Sequence, residues 1–302
     1  MKDVHAMAPT HGRLQLRRVG VDGILKPISV QRQDQVVTLS ASFSVAVDLP
    51  SNRKGSDLSR NAELLAEIVD ETATRPVPSL ETACSEIARE LLVRHPYAQE
   101  AVVTSSATYF LRKGFSADRR SYEDYSLVAE ALAERTNGNA IRLTRWIGAE
   151  AVGMTACPCA METARERLTS DFPALGDPSL KELPIVSHNQ RNRTRLTFEV
   201  GEGVQVEADA IIEAIEAAQS SPTFAILKRG DEAQVVLNAH RHPRFVEDVL
   251  RDLLASLPER FPELPDSAEV DAWTRSEESI HKYDVIASHQ VTMGELRHHL
   301  AA

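Results

Sequence analysis

The chain has 302 residues, and its 34 Lys and Arg against 44 Asp and Glu give a formal net charge of −10. That length holds about two domains or one large one and buries a core without staples. The acidic balance argues against a nucleic-acid partner. No apolar run is long enough for a membrane partner, no secretory h-region opens the chain, and three cysteines make no disulfide framework, so a cytoplasmic setting is expected.

From Val37 to Leu49 the odd positions read Val37, Leu39, Ala41, Phe43, Val45, Val47, Leu49, with small or polar residues between. Period two predicts a strand with one buried face, and Leu14 to Val30 is its expected hairpin partner. A helix is expected from Ser59-Arg60-Asn61 onward, carrying Leu64, Leu65, Ile68 and Val69. Ser79 is placed to cap a second helix with Leu80, Cys84, Ile87 and Leu91 on one stripe, which makes Cys84 a small core residue. Alternation returns from Ala101 to Leu111, whereas Tyr125 to Glu134 suits strand or helix. Asn137-Gly138-Asn139 is a turn signal. Beyond it, strands are expected at Ala140 to Thr155 and Arg195 to Val200, with a helical insert at Met161 to Leu168. Helices at Ala208 to Gln219 and Pro243 to Leu257 follow, then short strands near Val270 and Val285. The pattern reads β-β-α-α-β-β and can be read a second time, with a boundary near Asn137 that divides the chain into 1–137 and 138–302.

The chemistry-bearing residues are few. Cys157-Pro158-Cys159 falls between a predicted strand and a predicted helix. A cysteine at a helix N-terminus is biased toward thiolate, the form a metal or an electrophile needs; two small residues at a tight corner are the plainer reading. His188-Asn189-Gln190-Arg191 lies in a polar stretch, and thiolate, imidazole and a third donor suit zinc or ferrous iron. Lys228-Arg229-Gly230-Asp231-Glu232 is a charge cluster at a predicted strand end, or a solvated turn. Glu247, among apolar neighbours, is either a helix-surface carboxylate or an acceptor for a guanine-like base edge. Arg53, Lys54 and Arg60 flank Gly55 at the start of the first helix, an anion site or a charged loop. His281 by itself is uninformative.

Taken in order, several segments resemble the GTP cyclohydrolase type IB family and its archaeal MptA-type relatives. They are Val47-Asp48-Leu49-Pro50, Lys54-Gly55 with Leu58-Ser59-Arg60, Gly153-Met154-Thr155-Ala156-Cys157-Pro158-Cys159-Ala160, His188-Asn189-Gln190-Arg191, Leu227-Lys228-Arg229 with Asp231-Glu232, Pro243-Arg244-Phe245-Val246-Glu247-Asp248, and Glu278-Ser279-Ile280-His281. The long insert between Cys159 and His188 is more like the archaeal type. The resemblance implies an α+β tunnelling fold (T-fold): two tandem β-β-α-α-β-β units with antiparallel sheets, assembling as an oligomeric barrel. It implies a homotetramer with shared active sites and most metal-site residues in the second unit. It implies attack of metal-activated water on C8 of GTP, loss of formate and closure of a dihydropterin ring, as triphosphate or cyclic phosphate. By position, Cys157, His188 and Glu232 correspond to catalytic metal-site residues, His281 to a further metal-site histidine, and Glu247 to the guanine-reading glutamate. Lys54, Arg60, Gln190 and Arg191 would meet the rest of the substrate. One divalent metal per site, Fe(II), Mn(II) or Zn(II), is implied. The chain departs from the family pattern at Asp57, where a histidine is usual, at Gly230, often proline, and at Tyr283, often a second histidine. Rival readings are a relative with an altered purine-nucleotide substrate or product, and a non-catalytic purine- or pterin-binding protein.

Overall fold

A computed structural model describes residues 4–9, 14–32, 35–136, 140–175, 183–201 and 203–301. The turn expected at 137–139 lies outside the described residues. In chain order the elements are β1 (Leu16–Arg32), β2 (Gln35–Leu49), α1 (Leu58–Thr74), α2 (Leu80–Arg94), β3 (Glu100–Ser116), β4 (Arg119–Arg135), β5 (Ile141–Ala156), α3 (Pro158–Asp171), β6 (Asn189–Glu199), α4 (Ala208–Ala218), β7 (Ser221–Pro222), α5 (Arg229–Arg241), α6 (Val246–Arg260), β8 (Glu269–Ser276), β9 (Val285–Thr292) and α7 (Met293–Ala301). Two compact units emerge. One comprises Met1–Tyr109, Ser126–Ile147 and Glu199–Gly203; the other comprises Phe110–Tyr125, Gly148–Phe198 and Val204–Ala302.

The expected tunnelling fold, with a separate antiparallel sheet in each of two tandem units and closure as an oligomeric barrel, is corrected by this architecture. Among the described residues there is one nine-stranded sheet, in the order β1-β2-β3-β4-β5-β6-β8-β9 with β7 on β5, and seven α-helices. The physical reason lies in the middle of the chain. β4 and β5 are hydrogen-bonded neighbours, so the ladder continues where two sheets would each leave an unsatisfied edge. The second half also departs from the β-β-α-α-β-β order, because β7 and α5 stand between α4 and α6.

Within the first unit, β1 and β2 form an antiparallel pair with Ile28 opposite Leu39 and Ile24 opposite Phe43. The alternation in β2 is realised as burial of Leu39, Ala41, Phe43, Val45, Val47 and Leu49. Leu64, Leu65 and Ile68 of α1 and Leu80, Ile87 and Leu91 of α2 are buried too. Each buried Val, Leu, Ile or Phe among them contributes about 1.5–3 kcal/mol of transfer free energy. Ser79 Oγ caps α2 by accepting from Thr82 N at 3.3 Å. Cys84 is fully buried, and burial pushes its thiol pKa up, so it stays a neutral core group. The ambiguous alanine-rich run resolves as β4, with Leu127, Ala129, Ala131 and Ala133 buried at every second position. A strand paired on both sides overrides the helix propensity of alanine.

In the second unit, Lys228 to Glu232 opens α5 instead of closing a strand. The Asp231 carboxylate accepts from Lys228 N at 3.0 Å and pairs with Arg119. The backbone bond and then the guanidinium hold its carboxyl below the usual range, a local reason for a helix to start there.

Candidate active site

The second unit gathers several of the predicted residues at one strand-to-helix corner. β5 ends at Ala156, and Cys157 is the N-cap of α3, with Pro158 at its first position. Cys157 Sγ accepts from Ala160 N at 3.5 Å, so the sulfur faces the first backbone N–H groups of the helix. Cys157 N donates to His188 O at 3.1 Å, and Ser187 Oγ donates to Cys157 O at 2.6 Å. The cysteine corner and the histidine segment are thereby locked together, although 30 residues separate Cys157 from Ser187.

His188 is mostly buried. Its Nδ1 lies 2.9 Å from Gln190 Oε1 and 3.5 Å from Glu278 Oε2. Its ring centroid is 6.4 Å from that of His281, which is exposed and stacked on Tyr283 with the planes 9° apart. Tyr283, standing where a histidine was the usual residue, therefore supports His281 through its ring face. Gln190 is buried, and its Nε2 donates to Thr155 Oγ1 at 2.9 Å. Arg191, the next residue, points the other way on the strand and is exposed.

Two contacts bring neighbouring elements to this corner. Arg244 N donates to Ala156 O at 3.0 Å, which sets the approach to α6 beside Cys157. Glu247 stands exposed in the first turn of α6, where Asp248 accepts from Phe245 N at 2.9 Å. His240, in the last turn of α5, directs Nε2 at Ser187 O, 3.2 Å away, and Nδ1 at Val236 O, 2.8 Å away. Glu232 is exposed on the first turn of the same helix. Eight residues separate it from His240, about 12 Å along the axis. One chain thus brings Cys157, His188 and His281 to one region and leaves Glu232 at the far end of α5.

Among the described residues no group of three or more His, Cys, Asp or Glu stands ready to hold a metal. What one chain offers is a pair of donors. A helix-capping thiol and an imidazole whose Nδ1 is already engaged suit Zn(II) or Fe(II) as two ligands of a larger set.

The first unit holds two of the predicted cationic site residues, Lys54 and Arg60, and the second holds Arg191. Lys54 and Arg60 are exposed, and the Lys54 backbone N–H reaches Met7 O at 2.8 Å. Asp57 is the N-cap of α1 but makes no side-chain cap bond. Its carboxylate sits 3.7 Å from Arg53 and 3.3 Å from Arg60, which offsets its charge locally. Behind it runs a polar chain: Ser56 Oγ to Tyr97 Oη at 2.8 Å, Tyr97 Oη to His95 Nδ1 at 3.0 Å, and His95 Nε2 to Asn61 Oδ1 at 2.8 Å. The Arg53 guanidinium lies over the Tyr97 ring, 4.0 Å from its centroid. Burial, and after it the charge of Arg60, lowers the pKa of His95.

Sequence reasoning missed His240, His95 and the role of Glu278. The first two carry no spacing signal; Glu278 was visible only as part of a matched segment.

The segments that carry the Cys157 thiol and the His188 imidazole are thus joined at one strand-to-helix corner. A family model described as type I GTP cyclohydrolase folE2 matches residues 1–287. The chain belongs to this enzyme family. It is 39% identical over 307 residues to the GTP cyclohydrolase MptA of Methanosarcina mazei, with 98% of this chain and 96% of that one covered. It is 39% identical over 292 residues to GTP cyclohydrolase MptA 2 of Methanocella arvoryzae, covering 94% of each. Among solved structures, a uricase from Bacillus fastidious superposes with a TM-score of 0.52 at 10% identity, covering 95% of this chain and 97% of that one. A uricase from Arthrobacter globiformis gives 0.50 at 8% identity, covering 94% of each chain. These last two likenesses concern the fold alone, and they complete the correction: the architecture resembles that of uricase.

Proposed function

We propose that this chain is a GTP cyclohydrolase that opens the imidazole ring of GTP at C8, releases formate and forms a 7,8-dihydroneopterin phosphate. The observation that carries the reading is the joining of the Cys157 corner to the Ser187–His188 segment by two backbone-anchored hydrogen bonds, in a chain of this family. Cys157 and His188 would hold one divalent metal, Fe(II), Mn(II) or Zn(II), which when bound supplies a Lewis acid for attack by water. His281, beside His188, is placed to hold or pass a proton during addition at C8 and ring opening. Glu247 accepts from the N–H edge of guanine, where two carboxylate oxygens match two donors. Lys54, Arg60 and Arg191 offset phosphate charge. Glu232 joins the donor set from another copy of the chain, in a homotetramer with shared sites; its place about 12 Å along α5 from the Ser187 contact supports this. The setting is the cytoplasm, in pterin formation.

The test is anaerobic. The metal-free protein is loaded separately with Fe(II), Mn(II) and Zn(II), supplied with GTP, and followed for formate and for oxidised-pterin fluorescence. Formate with a fluorescent pterin is expected with at least one metal, and product mass then identifies triphosphate or cyclic phosphate. A folded, metal-loaded protein that releases no formate with any of the three overturns the reading.

A further inference from the structure

Behind His188 lies a buried chain of polar side chains that the reaction itself does not use. Gln190 Oε1 is 2.9 Å from His188 Nδ1, and Gln190 Nε2 donates to Thr155 Oγ1 at 2.9 Å. Thr155 Oγ1 is 3.0 Å from Ser276 Oγ, which accepts from Asn192 Nδ2 at 3.0 Å. Asn192 is fixed in turn, because its Oδ1 accepts from Thr194 Oγ1 at 2.8 Å and from Thr274 Oγ1 at 3.0 Å. Gln190 is 8% exposed, Thr155 and Ser276 are 1%, and Asn192, Thr194 and Thr274 are 0%, so water does not compete for these bonds.

A neutral imidazole has one N–H, and what faces each nitrogen selects the one that bears it. His188 Nδ1 faces an amide oxygen and, 3.5 Å away, a carboxylate oxygen of Glu278. Both only accept. We propose that Gln190 and Glu278 are positioning residues that hold His188 as its Nδ1–H tautomer, presenting the Nε2 lone pair to a divalent metal. Thr155 fixes the direction of the Gln190 amide. The purpose of that lone pair rests on the cyclohydrolase reading; the position of the proton does not. Gln190, expected from the sequence to meet substrate, acts instead through His188, since both ends of its amide are engaged within the protein. Reversal of the amide would set its NH2 against Nδ1 and move the proton to Nε2. The Glu278 carboxylate opposes this, because an N–H facing it is favoured over a lone pair.

The experiment is nitrogen-15 NMR of the histidine rings in the full chain after the metal is removed by chelation. The His188 signals are assigned by their loss in His188→Gln. A protonated Nδ1 and an unprotonated Nε2 are expected. Gln190→Leu should shift the proton toward Nε2 and weaken Zn(II) binding about 10–100-fold. Gln190→Glu, which keeps an acceptor at that point, should retain the tautomer and the Zn(II) affinity. Thr155→Val leaves Gln190 in place but frees its amide, and mixed tautomers are expected; this variant carries the test if Gln190→Leu fails to fold. A wild-type His188 with its proton on Nε2 overturns the proposal, as does a folded Gln190→Leu or Thr155→Val protein with an unchanged tautomer. An Nδ1–H signal in a protein that releases no formate would sink the cyclohydrolase reading and still uphold the tautomer.

Discussion

Gly153 offers a sharp test of how the corner is held. It lies on β5 opposite Pro222 of β7, four residues before Cys157. A Cβ there would stand 1.6 Å from Gln219 Oε1, 2.5 Å from Gln219 Cδ and 2.8 Å from Ser221 O. The amide can retreat only by leaving its site, where Nε2 donates to Asn192 O and to Asn192 Oδ1, each at 3.2 Å. Gln219 is 4% exposed, so no water replaces those bonds. Two buried hydrogen bonds at about 1 kcal/mol each, with about 1–3 kcal/mol for overpacking against the β7 backbone, put Gly153→Ala at about 3–5 kcal/mol destabilising. Gln219→Ala removes the obstructing amide and leaves only the Ser221 contact. In that background the cost of Gly153→Ala should fall to about 1 kcal/mol, a coupling of at least about 2 kcal/mol. Urea unfolding of the wild type, both single variants and the double variant measures the cycle. A Gly153→Ala cost below about 1 kcal/mol, or strict additivity with Gln219→Ala, refutes the argument. Formate release should fall along with stability, because β5 runs directly into Ala156 and Cys157.

Cys157→Ala should lose at least about 100-fold in Zn(II) affinity, more than a change behind a ligand costs, and activity should go with it; full retention of both by titration and formate assay would show that the sulfur is not a ligand. Glu247→Ala removes charge-assisted bonds to the base, so kcat/KM for GTP should drop roughly 10–100-fold, and an unchanged value would rule out base reading. Asp57→Asn frees Arg53 and Arg60 from their carboxylate, and KM for GTP should fall severalfold with kcat nearly constant; a higher KM would mean that Asp57 positions these cations instead of competing with phosphate. His95 has a folded-state pKa lowered first by burial and then by Arg60, so the unfolded chain binds the extra proton. Its contribution to stability is then complete above the unfolded value of about 6.5 and is lost as pH falls below it. Urea midpoints at pH 7.5 and 5.5 should differ more for the wild type than for His95→Gln, and parallel pH dependences would contradict this.

Local physics made much of this chain legible. The alternation from Val37 to Leu49 needs only a solvent face and a core face, and β2 formed as read. Ser79 caps α2 because the N–H groups of its first turn need an acceptor within three residues. Cys157 and His188 stood out because few residue types hold a metal. Non-local pairing was not legible. β6 begins at Asn189, six residues before the expected start, because its buried face near the site is Gln190, Asn192 and Thr194, and only Leu196 and Phe198 farther on give an apolar signal. A search for hydrophobic periodicity cannot see a polar face that is satisfied by Thr274 and Ser276, some 80 residues away. α5 was hidden for a related reason, since its start is fixed by Asp231 meeting Arg119 across 112 positions. The single continuous sheet turns on backbone bonds between β4 and β5, which carry no side-chain code. The sequence alone determined which residues have the chemistry and the type of those segments whose apolar pattern or cap is local, such as β2 and α2, because those depend on neighbours along the chain. The tertiary structure alone decided the sheet order and the anchoring of the Gln190 amide behind His188, because both follow from hydrogen bonds between distant segments, the latter to Thr155 across 35 positions.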